Sequence, residues 1–158
     1  MPTPSFNLSD LDGSNGFVIN GLNPGNTIGY AVSGAGDING DGIADFIIGA
    51  AGSRRFSSLG TPGVSYVVFG DTQIGADGNF DLSSLDGSNG FALNSVNAGA
   101  RFGNSVSSAG DVNNDGIDDL IIGNPSQSSA LKSATYVVFG DTQIGADGNF
   151  DISSLDVG

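Results

Sequence analysis

The stretch VVFGDTQIGADGNFD at residues 67–81 returns letter for letter at residues 137–151, displaced by 70. Working outward, LDGSNGF at 11–17 reappears at 85–91, and the nine residues at 37–45 are matched by those at 111–119, both displaced by 74. The four-residue excess falls in the first copy, around 54–63. One repeat therefore runs over 6–79, a second over 80–149, and 150–158 opens a third, all within a single unit of 1–158.

Each repeat holds four dense apolar runs rich in β-branched and aromatic residues, separated by Gly, Asn and Asp. In the first repeat the strand candidates are 16–20, 29–34, 45–50 and 65–70; in the second they are 90–94, 103–108, 119–123 and 134–140. The pattern predicts an all-β fold of β-propeller blades, each of four antiparallel strands, with two blades per chain. A small eight-stranded β-sandwich is the alternative.

Composition points the same way. All 17 acidic residues are Asp and none is Glu, which places carboxylates in turns rather than on helix faces, so helices are not expected. The formal charge of −13 excludes nucleic acid as a partner, because only four basic residues are present, and it favours divalent cations. No run is long and apolar enough to span a bilayer, and Met1-Pro2-Thr3-Pro4 is not the start of a signal peptide. The chain has no Cys, so no disulfide framework exists.

The chemistry lies in the nonapeptide DINGDGIAD at 37–45 and its copy DVNNDGIDD at 111–119. Oxygen donors stand at positions 1, 3, 5 and 9: Asp37, Asn39, Asp41 and Asp45, then Asp111, Asn113, Asp115 and Asp119. Gly at position 6 permits the turn that offers the carbonyls of Ile43 and Ile117 as further donors. An all-oxygen set suits calcium, one ion per loop and two per chain, whereas zinc would require His or Cys. An EF-hand would close with Glu at position 12, where Ile48 and Ile122 stand instead. The alternative is a pair of Asx-rich turns without an ion. Asp118 reads as a solvated charge, since the first copy has Ala44 there, and Asp71, Asp77, Asp81 and Asp86 read as turn residues.

The run from Phe102-Gly103 through SSAGDVNNDGIDDLIIG at 107–123 to YVVFG at 136–140 resembles the FG-GAP repeat of the integrin α-subunit propeller. The likeness extends to the first repeat, with Ile28-Gly29 in place of Phe-Gly, and the trailing Gly-Ala-Pro becomes Gly49-Ala50-Ala51 and Gly123-Asn124-Pro125. The resemblance implies a loop joining the first two strands of each blade, calcium at the propeller's rim, and an extracellular or cell-surface setting. It implies a structural, adhesive or protein-interaction role, with a protein or carbohydrate ligand. An accessory domain of a secreted enzyme, and an engineered or excised propeller fragment, are the alternatives.

With no His, Cys or Glu, the available acid-base groups are Asp, Tyr30, Tyr66, Tyr136 and Lys132, and no enzymatic activity is expected. Two blades leave open sheet edges, and 156–158 come just before the expected Asn-Gly-Phe segment. A head-to-tail homo-oligomer is therefore expected to close the ring, a trimer in preference to a tetramer. The near-copies at 6–12 and 150–156 would then compete for one place.

Overall fold

The computed structural model describes residues 6–22, 27–51, 62–95, 101–126 and 132–155. Residues 1–5 and 156–158, and most of the stretch around 54–63 that holds the four-residue excess, lie outside the described residues. Among the described residues ten strands run in chain order: β1 (Val18–Ile19), β2 (Ile28–Gly36), β3 (Asp45–Ala50), β4 (Val64–Val68), β5 (Asn79–Phe80), β6 (Gly90–Asn94), β7 (Ser105–Gly110), β8 (Asp119–Asn124), β9 (Ala134–Val138) and β10 (Asn149–Asp151). The all-β reading holds, with two additions. The short strands β5 and β10 fall inside the perfect 67–81 repeat, where the density of turn residues hid them. Single 3-10 turns form at Leu8–Asp10, Leu82–Ser84 and Ile152–Ser154, against the expectation of no helix. The cause of the latter two is local: Asp81 and Asp151 accept from the amides of Ser83 and Ser153, capping one turn each.

The strands form three sheets, ordered β10-β6-β4-β3-β2, β7-β8-β9 and β1-β5. β2, β3, β4 and β6 are antiparallel neighbours, the four-stranded antiparallel arrangement expected of a blade, while β10 joins β6 in parallel. The sheet boundary is offset from the sequence repeat. β6 belongs to the second repeat by sequence, yet it pairs with β4 of the first, Tyr66 opposite Ala92 and Val67 opposite Phe91. A chain whose sheets borrow a strand from the following repeat cannot have its repeats come apart independently.

The five-stranded and three-stranded sheets bury one core between them: Ile47, Val67, Phe91 and Leu93 from the first, Phe102, Leu120, Ile122 and Val138 from the second. Phe69 and Phe91 stack obliquely at 5.9 Å between ring centroids, and Phe102 meets Tyr136 edge-on at the same distance. A second cluster on the far face of the first sheet joins Tyr66, Val68 and Leu82 to Ile19 and Phe80 of the β1-β5 pair. No described helix is long and apolar enough to cross a membrane.

The sheets approach so closely that Gly49 has no room for a side chain, since a Cβ there would fall on the carbonyl oxygen of Gly103. Gly34, on the neighbouring strand, faces open space. Gly49→Ala should therefore lower stability by about 1–3 kcal/mol, the usual cost of forcing atoms into a packed interior. Gly34→Ala should change it little, and thermal unfolding of the two variants separates the cases. Equal midpoints would contradict the close approach.

Candidate metal loops and the interface between them

The two nonapeptides occupy equivalent places. Residues 37–44 join β2 to β3, and residues 111–118 join β7 to β8. Position 4 as well as position 6 is left-handed, with φ of 74° at Gly40 and 85° at Gly42, then 62° at Asn114 and 93° at Gly116. Asn114 is the one described non-Gly residue with positive φ, and Asn is among the side chains that tolerate that region.

A nearly identical hydrogen-bond set holds each loop. In the first, the amide of Asp41 donates to Asp37 Oδ1 and Asn39 Oδ1, that of Gly42 donates to Asp37 Oδ2, and that of Ile43 donates to Asp41 Oδ1. In the second, the amide of Asp115 donates to Asp111 Oδ1 and Asn113 Oδ1, that of Gly116 to Asp111 Oδ2, and that of Ile117 to Asp115 Oδ1. The carboxylates thus shape the loop before any ion is considered.

Position 9 is different, because both its copies are buried. Asp45 accepts from the amide of Ile38 at 2.9 Å and from that of Gly70 at 2.8 Å, tying the loop and the end of β4 to β3. Asp119 does the same with Val112 at 2.8 Å and Gly140 at 2.9 Å. Burial pushes the Asp45 carboxyl up to about 6, with the negative charges of Asp41 and Asp37 adding to it and the amides of Gly70 and Ile38 opposing.

The donor chemistry fits a hard cation. An ionised carboxylate has about four lone-pair positions, and Asp37 and Asp45 each commit one position per oxygen to an amide. Oxygen capacity therefore remains on Asp37, Asn39, Asp41, Asp45 and the Ile43 carbonyl, and likewise on Asp111, Asn113, Asp115, Asp119 and the Ile117 carbonyl. Among the described residues no three acidic side chains stand gathered as a ready metal cage, so the fit rests on donor type and spare capacity.

Two contributors escape a sequence reading. The amides of Gly70 and Gly140 come from a distant strand, and the only trace of them is the repeated Phe-Gly-Asp after each β run. Asp118 is not the solvated charge expected of it. Its carboxylate accepts from the Asp37 amide at 2.9 Å, and its own amide donates to the Asp37 carbonyl at 3.1 Å. It clamps the first loop to the second sheet. The turn reading of the other Asp residues holds: Asp71, Asp77, Asp81 and Asp86 each accept from the amide two residues ahead.

Asp118→Ala should lower the thermal midpoint, since a bond from an amide to a charged acceptor contributes roughly 1.5–3 kcal/mol. An unchanged midpoint would show that the clamp carries no stability.

Comparison with known proteins agrees with this geometry. The FG-GAP repeat family model matches residues 28–68 and 102–139, which contain both loops. The chain is 34% identical over 126 residues to integrin alpha-4 of Xenopus laevis, covering 78% of this chain and 11% of that protein. It is 35% identical over 123 residues to integrin alpha-PS5 of Drosophila melanogaster, covering 78% and 11%. Against the human phosphatidylinositol-glycan-specific phospholipase D it is 34% identical over 135 residues, covering 82% and 15%. The chain spans 11–15% of the length of these relatives. With two matched repeats, each built around the same loop, the chain belongs to the FG-GAP repeat family, of the integrin-like propeller type.

Proposed function

We propose that the chain is a calcium-binding, non-enzymatic propeller module of two blades that associates with itself into a closed ring and serves a structural or protein-interaction role. The observation that carries the calcium reading is the duplication, hydrogen bond for hydrogen bond, of an all-oxygen loop in which three carboxylates lie within nine residues. Such charges repel one another, and a divalent ion bound among them supplies the missing neutralisation. Asp37, Asn39, Asp41, Asp45 and the Ile43 carbonyl would hold one ion. Asp111, Asn113, Asp115, Asp119 and the Ile117 carbonyl would hold the other.

The tyrosines support a non-catalytic reading. Tyr66 is buried against Val68 and Leu82, and desolvation pushes its hydroxyl up, away from neutral-pH chemistry. Tyr136 packs on Phe102. The likeness to integrin alpha chains supports an extracellular or cell-surface setting and a protein ligand. The likeness to a phospholipase favours a second use of the same module, as an accessory domain beside an enzyme.

Calorimetric titration of the metal-stripped protein should show two calcium ions per chain, and Asp41→Ala and Asp115→Ala should each retain one. A ligand at about 100 times its dissociation constant stabilises the state that binds it by roughly 2.7 kcal/mol, so EDTA should lower the melting temperature. Absence of calcium uptake by the wild type, or two ions kept by both variants, would refute the assignment.

A further inference from the structure

We infer that the three-stranded sheet of one copy and the two-stranded sheet of another are the halves of a single five-stranded sheet, joined by residues 16–20 pairing antiparallel with β9. The inference deepens the self-association proposed above by naming the surfaces and their register.

The template lies within the chain. Strand β6 closes the edge of β4 and brings β10 with it, giving the order β10-β6-β4-β3-β2. By the repeat offsets, β4 corresponds to β9, β6 to the segment around β1, and β10 to β5. The pair β1-β5 already has the β6-β10 register: Val18 opposite Asn79 corresponds to Ala92 opposite Asn149. Strands β7-β8-β9 already have the β2-β3-β4 arrangement, with Ile122 opposite Tyr136 as Ile48 is opposite Tyr66. Only the junction between β1 and β9 is missing, and every copy carries one of each half.

The apolar surface tells the same story by comparison of equivalent residues. Val67 is 0% exposed and its counterpart Val137 is 42% exposed; Phe69 is 7% exposed and Phe139 is 56%. What covers Phe69 is Phe91, at 5.9 Å, which also meets Phe150 at 6.3 Å. The counterpart of Phe91 is Phe17, which already meets Phe80 at 6.3 Å as Phe91 meets Phe150. Phe17 of a second copy is therefore the ring that Phe139 lacks. On the opposite side, Val32 and Tyr30 of β2 stand exposed, whereas Val106, the counterpart of Val32, packs in the inter-sheet core. A Cβ on Gly103 would touch Ser65, while its counterpart Gly29 faces open space.

The template fixes the register. Val64 opposite Asn94, Tyr66 opposite Ala92 and Val68 opposite Gly90 become Ala134 opposite Asn20, Tyr136 opposite Val18 and Val138 opposite Gly16. The contact is heterologous, so it repeats from copy to copy and closes into a ring where the rotation between copies permits. It also decides between the competing segments. Ile152 is buried like its counterpart Leu82, which is 3% exposed, while Leu8 is 80% exposed. The turn at Ile152–Ser154 therefore keeps the place, and Leu8–Asp10 of the incoming copy is displaced.

The chain has no Cys, so engineered pairs report without background. Opposed residues of an antiparallel pair lie about 4.5–5.5 Å apart at Cα, within disulfide reach. Mixing Asn20→Cys with Ala134→Cys protein in calcium and oxidising should give a disulfide-linked dimer. The off-register mixture of Asn20→Cys with Tyr136→Cys should give at least about tenfold less. Phe139→Asp changes a residue that a single copy leaves exposed, so it should fold and, by light scattering, fall to the 15.7 kDa of one chain. Equal cross-linking in both mixtures, or a wild-type monomer at micromolar concentration, overturns the inference. Calcium titration is read separately: two ions bound with no cross-link sinks this inference alone, whereas a cross-link without calcium uptake sinks only the metal assignment.

Discussion

The fold hangs on a buried carboxylate at the ninth position of each loop. Asp45 and Asp119 sit at the start of β3 and β8, and each grips two amides that are remote from one another in the chain. A buried carboxylate with no partner would be costly, and the two amides make it tolerable by satisfying one lone pair on each oxygen. The grip closes the loop against the sheet and fixes where the third strand ends. The negative charges of Asp41 and Asp37 act on the buried Asp45, so the grip that holds the loop also sets its electrostatics.

Everything beyond the single sheet depends on neighbours. The first sheet takes its fourth strand, β6, and the ring that covers Phe69, Phe91, from the following repeat. Glycine makes the approach possible at Gly49 and Gly103, where backbone meets backbone without a side chain between. Asp118 adds a polar clamp between the first loop and the second sheet, so a change at one loop is felt at the other. Where a neighbour is present, aromatic and β-branched residues vanish into the core. At the two ends of the chain, the same residue types stand exposed.

Much of this was legible in the sequence because the repeat is so regular. The β-rich runs, the Asp-rich nonapeptides and their Gly at position 6 follow from local chemistry, and the observed strands fall within two residues of the expected ones for the long runs. The misses share one cause, which is partnership at a distance. β5 and β10 are strands only because β1 and β6 lie beside them, and their own residues, Asn-Phe and Asn-Phe-Asp, read as turns. Asp118 looked solvated because its acceptor role depends on a loop 81 residues away. The displacement between sequence repeat and sheet has the same origin: self-similarity marks where the letters recur, whereas pairing marks where edges close.

The most direct test of the role given to the ninth-position carboxylates is native-state hydrogen exchange at the amides they hold, those of Ile38, Gly70, Val112 and Gly140. These four should be protected well beyond ordinary loop amides, and calcium should slow all four together, since the same carboxylates would meet the ion. Exchange at the rate of open loops, unchanged by calcium, would contradict both the grip and its coupling to the metal.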